Sequence, residues 1–212
     1  MTDTKVSGTY AGLDERIAAA GAASIWRGER VRLRGHEPAD LEFESEYEAG
    51  TADQRSGWKI FPPQSSFAQK AWLDEAMVAK PEQNETKVSM AIARLADNQI
   101  VGGLNLHGGD FVDGVFSFGV GIGAKYKGQG YAGEAIVLAL RYMFGERRFQ
   151  KCESHVYDFN TASLSLHRKL GFVEEGRLRR HHFMGGQYRD ELHFGMTVEE
   201  FYDLYPKLRI QL

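Results

Sequence analysis

The chain has 212 residues, 42% of them hydrophobic and 26% charged, which is enough for one full core and fits a single domain. Its formal charge of -3 gives no global basic field, so nucleic-acid and membrane-surface partners lack electrostatic support. The single cysteine, Cys152, excludes an internal disulfide framework and a cysteine-rich zinc site, and a reducing cytoplasm fits.

No N-terminal run has the signal-peptide pattern and no apolar stretch reaches bilayer-spanning length, so a cytoplasmic protein is expected. Residues 1–25 are small and polar, with Ala18 to Ala23 their helix-like run. They read as an extension, loosely attached or packed on a neighbour, ahead of one domain over 26–212. A second copy of the chain is a candidate partner.

Val31 to Arg34 alternates as a short strand, and Pro38 to Tyr47 starts a helix with proline in its first turn. Residues 50–64 read as a loop. A second helix begins at Ser65 or Ser66, with Phe67, Ala71 or Trp72 and Met77 on one side, and ends before Pro81. Three strand-like runs follow, Lys87 to Ala93, Gln99 to His107 and Val115 to Ile122, predicting an antiparallel meander. In the third, Phe116, Phe118, Val120 and Ile122 share one face while Ser117, Gly119 and Gly121 leave room on the other. The run Tyr131 to Phe144 is apolar almost all round and predicts a buried helix. Lys151 to Tyr157 is the return strand, Asn160 caps a helix that Gly171 ends, and Phe172 to Arg179 and Leu192 to Val198 are the last strands.

Between the third meander strand and the apolar helix lies Gly123-Ala-Lys-Tyr-Lys-Gly-Gln-Gly-Tyr-Ala-Gly133. Glycines allow backbone N–H groups to turn inward, and the following helix start favours an anion, so a phosphorylated ligand is implied. Gly128 to Gly133 matches G-x-G-x-x-G, whose acidic partner in a dinucleotide site would be Glu153. That fold begins with its fingerprint strand, whereas here more than half the chain precedes the loop.

The same residues also fit [Gln/Arg]-x-x-Gly-x-[Gly/Ala], with Lys127, Gly130 and Ala132 in the three slots. Asn160-Thr-Ala-Ser-Leu-Ser-Leu-His-Arg-Lys-Leu-Gly-Phe172 supplies a second ordered motif. Together they resemble the GNAT superfamily of acyl-CoA-dependent N-acetyltransferases, in the branch of ribosomal-protein alanine and spermidine acetyltransferases. The likeness extends weakly over residues 28–203. It implies an α/β (α+β) fold: a mixed, mostly antiparallel sheet splayed at its fourth strand, with helices on both faces.

The resemblance implies acetyl transfer from acetyl-CoA to a primary amine by direct attack, the acceptor being a protein N-terminus, polyamine, amino acid or drug. Lys127, Gly128, Gln129, Gly130, Tyr131 and Ala132 would hold the coenzyme A pyrophosphate. The main chain of Val120 and Ile122 would pair with the pantetheine arm, and Asn160 would lie near it or serve only as an N-cap. His167 stands where many members carry the tyrosine that protonates the departing thiolate, and Ser163 is a second candidate acid. Arg168 and Lys169 could meet the 3′-phosphate or be solvated surface charge. Ser117 replaces the branch's strand glutamate, which leaves His107, Asp110, Asp113, Glu153 and His155 as base candidates, each also readable as turn or surface. His181, His182 and His193 match no compact ligand spacing, so no metal is expected. The alternatives are a non-catalytic acyl-CoA-binding domain and a nicotinamide oxidoreductase.

Overall fold

The period-two patterns become β1 (Val31–Arg34), β2 (Val88–Arg94), β3 (Ile100–Asp110), β4 (Val115–Ile122), β5 (Lys151–Tyr157), β6 (Val173–Met184) and β7 (Gln187–Thr197). They form one sheet in the order β1-β2-β3-β4-β5-β7-β6. The computed structural model describes residues 10–21, 23–57, 60–78 and 87–210. Neighbouring strands are antiparallel except β4 and β5, which run parallel. Their pairing stops at Ser117↔Glu153 although β4 continues to Ile122 and β5 to Tyr157. The sheet therefore opens between its fourth and fifth strands, as the family resemblance implies.

Helix α5 (Tyr131–Gly145) is buried along nearly its whole length, as its all-round apolar sequence requires. Phe144 of α5 meets Phe116 of β4 edge-on at 5.6 Å, so the larger face of β4 lies in the core. Helix α6 (Thr161–Leu170) begins at Asn160, whose side chain accepts from Ser163 N–H, and ends at Gly171 in the left-handed conformation. Helix α7 (Val198–Leu204) follows β7 directly, opened by a reciprocal Thr197–Glu200 capping box.

Four expectations need correction. The N-terminal segment does not hang loose from residue 10 onward: Tyr10, Leu13 and Ile17, the last two on α1 (Leu13–Ala20), join the main core, and Tyr10 packs so closely on Gly133 that any Cβ there would overlap its ring. Residues 1–9 lie outside the described residues. The expected loop over 50–64 contains α3 (Thr51–Gly57), whose polar sequence has no apolar stripe for periodicity to detect. It follows α2 (Leu41–Ala49) almost without a break. In α4 (Ser66–Val78) the buried residue is Leu73, while Phe67 is 82% exposed and Trp72 44% exposed, so the helix packs on a different face from the one its apolar spacing predicts. Pro81, its expected stop, is outside the described residues. The final hairpin is also longer than read, because β6 runs to Met184 and Gly185-Gly186, both at positive φ, make its two-residue turn. Among the described residues, no helix is long and apolar enough to cross a membrane.

Candidate active site

The glycine-rich loop is shaped by two left-handed residues, Gly128 at φ 77° and Gly130 at φ 85°. Gly130 is the N-cap of α5 and brings no side-chain cap, so the first-turn amides of this fifteen-residue helix are available to an anion. A Cβ built on Gly128 would meet nothing within 4 Å, which describes an open surface above the loop. Lys127, Gly128 and Gln129 are exposed, Gly130 and Ala132 half-buried, and the Tyr131 ring buried. Tyr131 thus contributes its amide rather than its side chain to this surface.

The cradle is braced from below. Arg30 donates to the Gln129 carbonyl at 2.9 Å, and the Tyr131 hydroxyl donates to Gln129 Oε1 at 3.0 Å. Glu134, in the first turn of α5, accepts from the amides of Arg30 at 2.8 Å and Val31 at 3.2 Å, tying the helix start to β1. Burial raises the Glu134 carboxyl above the ordinary range, and those two amides oppose the shift.

In the open part of the sheet, Gly123 N–H donates to Val101 at 3.0 Å, which fixes the phase of the β3–β4 ladder. Residues in step with Gly123, namely Gly121 and Gly119, turn their main-chain groups toward β3. Val120 and Ile122 turn theirs the other way, into the gap where β5 has diverged. Both side chains are half-buried and pack against the core.

His167 lies at the floor of that gap. Its ring stacks on Phe118 of β4 at 5.8 Å and reaches Ser154 of β5. Nδ1 lies 2.8 Å from the Ser163 carbonyl, an atom that can only accept, so Nδ1 carries the proton. Nε2, 2.8 Å from Ser154 Oγ, therefore accepts from that hydroxyl. The ring is 2% exposed, and burial pushes its pKa down to about 4. With this tautomer Nε2 is an acceptor near neutrality and holds no proton for a departing thiolate. Ser163 is half-buried in the first turn of α6, with Oγ 3.4 Å from His167 Nδ1. Asn160 spends its oxygen on the Ser163 amide and its Nδ2 on the Ser56 carbonyl at 2.9 Å, joining α6 to α3. Arg168 pairs with Glu174 at 2.8 Å on the surface.

The other sheet face carries His107, Ser117 and Glu153 in one row across β3, β4 and β5. Ser117 Oγ donates to the His107 carbonyl at 3.0 Å and lies 2.6 Å from His107 Nδ1. One hydroxyl proton satisfies both contacts only if Nδ1–H donates to Oγ, leaving Nε2 as a lone pair. That nitrogen sits over Gly119, 3.6 Å from where a Cβ would stand. Partial desolvation of the ring and the neighbouring His155 hold His107 below its usual pKa. Asp110 instead makes the hairpin turn, accepting from Val112 at 2.7 Å and Asp113 at 3.2 Å. Glu153 pairs with Lys151 at 3.5 Å.

Two features of this face escaped sequence reasoning. Glu44 of α2 is raised to about 7 by burial and by Asp40 and Glu48, and lies 3.7 Å from His36 Nδ1. Tyr47, one turn on, presses its hydroxyl against Gly121, so α2 roofs β4 where the gap opens. Nothing in helical spacing marks either residue. His181, His182 and Glu191, which match no metal spacing in sequence, bring ligand atoms within 4.8 Å of one another.

A family model described as an acetyltransferase (GNAT) domain matches residues 30–173. The chain is 36% identical over 181 residues to the SPbeta prophage-derived uncharacterized N-acetyltransferase YokL of Bacillus subtilis, covering 85% of this chain and 97% of that protein. Over 83 residues it is 30% identical to the ribosomal protein uS5-alanine N-acetyltransferase of Escherichia coli, covering 39% of this chain and 43% of that enzyme. The spermidine N-acetyltransferase of Vibrio cholerae, solved with CoA and spermine, superposes with a TM-score of 0.69 at 20% identity over 81% of this chain and 97% of that one, which shows a common fold. The ordered loop and helix motifs, the splayed sheet and these matches agree: the chain belongs to the GNAT family and is an N-acetyltransferase.

Proposed function

We propose that the protein transfers an acetyl group from acetyl-CoA to a primary amine of low pKa, a peptide or amino-acid α-amine. The observation that carries this reading is the continuity of two surfaces. The unpaired β4 edge at Val120 and Ile122 leads directly into the 127–132 loop and the start of α5, which has no side-chain cap. A pantetheine arm needs an extended hydrogen-bonding edge, and its pyrophosphate needs a helix start with no competing side chain. Lys127 adds a positive charge there, as a point charge rather than a bidentate fork.

The attacking amine must arrive neutral. His107 Nε2 is the group best suited to accept its proton, because Ser117 fixes the tautomer and the lowered pKa keeps the ring neutral at pH 7. The amine nitrogen bonds to the acetyl carbon as the C–S bond breaks, and the Val120–Ile122 edge supplies donors for charge developing on the carbonyl oxygen. The sulfur leaves as thiolate; a thiol with an ordinary pKa of about 8.5 needs little help, and water or Ser163 returns its proton. His167 acts through Ser154 and Phe118 as a positioning residue at the floor of the gap.

The test is acetyl-CoA-dependent thiol release with a panel of amines. Release with α-amines supports the proposal. Acetyl-CoA binding without release from any amine would mean a binding domain instead.

A further inference from the structure

We infer that the β6–β7 hairpin holds a binding site for one borderline divalent cation, Zn²⁺ first among them, with His181, His182 and Glu191 as ligands. These residues stand apart from the groups proposed for acetyl transfer. Consecutive strand residues normally point to opposite faces, so adjacent histidines do not make a chelate on a regular strand. Here the ladder pairs Leu178 with Glu191 and then His182 with Arg189, so that residues 179–181 of β6 face Asp190 alone. Arg180, at φ 54°, turns the bulge. Asp190 pins it, accepting from Arg180 N–H at 2.8 Å and from Arg177 Nε at 2.7 Å. The bulge re-aims His181 so that it and His182 both address Glu191, a known use of such irregularities.

The carboxylate they share is 8% exposed and has more imidazole around it than a structural ion pair needs. His182 Nε2 lies 2.5 Å from Oε2. His193 Nε2 lies 3.0 Å from Oε1, shielded from solvent yet without hydrogen-bond geometry. His155 Nδ1 is 3.8 Å from the same oxygen, and its ring lies against that of His193, tilted by 34° with centroids 4.3 Å apart. Two imidazoles and a carboxylate suit Zn²⁺, Co²⁺ or Ni²⁺, whereas Mg²⁺ and Ca²⁺ prefer all-oxygen sets. Three protein ligands leave a position for water, and His193, beside Oε1 but outside the ligand set, would help hold the Glu191 carboxylate in place.

The untagged chain should be titrated with Co²⁺, followed by visible ligand-field absorption, and with Zn²⁺ by calorimetry and thermal melting. One ion per chain is expected, with a Zn²⁺-dependent rise in melting temperature. His181→Ala, at an exposed position, and Glu191→Gln, which keeps the shape, should each weaken binding by roughly 100-fold. Absence of stoichiometric binding to the folded chain would overturn the site. So would binding that survives both substitutions, or that is lost in His155→Ala but retained in His181→Ala.

Discussion

Ser154 of β5 donates to His167 of α6 at 2.8 Å, and this contact closes the floor of the gap where β4 and β5 part. It makes the histidine a neutral acceptor locked by its neighbours. His167→Gln should therefore change turnover by less than about 10-fold and leave acetyl-CoA affinity unchanged, whereas loss of a working acid costs about 10²- to 10⁴-fold. Steady-state kinetics at pH 8 distinguish the two.

The same residue has a stability signature. Its folded pKa of about 4 lies below the ordinary 6.5, so its contribution is complete above pH 6.5 and is lost as pH falls toward 4. The shift is worth about 3 kcal/mol. The opposing Glu44 contribution cancels in a comparison of variants, so the stability difference between wild type and His167→Gln, read by urea unfolding, should fall by about 3 kcal/mol between pH 7 and pH 4.

Glu44 works in the opposite sense. A carboxyl raised from 4.5 to about 7 is protonated longer in the folded state, so stability falls as pH rises from 4.5 to 7. Glu44→Gln should stabilise the protein by about 1–3 kcal/mol at pH 8 and change little at pH 4. Denaturation midpoints at the two pH values check it; equal effects at both would contradict the assignment.

His107 carries the base assignment. His107→Ala should lower kcat/KM by about 10²- to 10⁴-fold with acetyl-CoA affinity intact. The acid limb of the wild-type kcat/KM profile should fall below pH 6.5, where the lowered pKa puts it, and vanish in the variant. Ser117→Ala, which frees the tautomer, should give a smaller loss of the same kind.

A weak base favours weakly basic acceptors. An α-amine with pKa about 8 is easier to deprotonate than a lysine-like amine near 10.4 by about 3 kcal/mol. Competition between matched α- and ε-amines near pH 7 should favour the α-amine by more than 10-fold. Preference for the ε-amine or spermidine would indicate a stronger base on this face.

The parts legible in the sequence were those governed by local rules. Alternation gave β2 to β5, apolar continuity gave α5, and Asn160 and Gly171 marked the ends of α6. Long-range geometry was not legible. Helix α3 is polar and held by Asn160 of α6, 104 residues away from Ser56. Tyr10 enters the core only because Gly133 leaves room for its ring. The state of His167 depends on burial and on Ser154, neither visible in a motif that aligns it with a tyrosine. His181 and His182 meet Glu191 through a bulge that no spacing rule anticipates.

The most direct test of the central claim is calorimetric titration of acetyl-CoA into the wild type and Gly130→Val. Gly130 caps α5 at φ 85°, where a branched side chain would disturb the turn and crowd the first-turn amides. With circular dichroism and melting confirming a folded variant, affinity should fall by roughly 100-fold, or about 3 kcal/mol. Unchanged acetyl-CoA affinity in folded Gly130→Val would contradict the cradle and, with it, the proposed route of acetyl transfer.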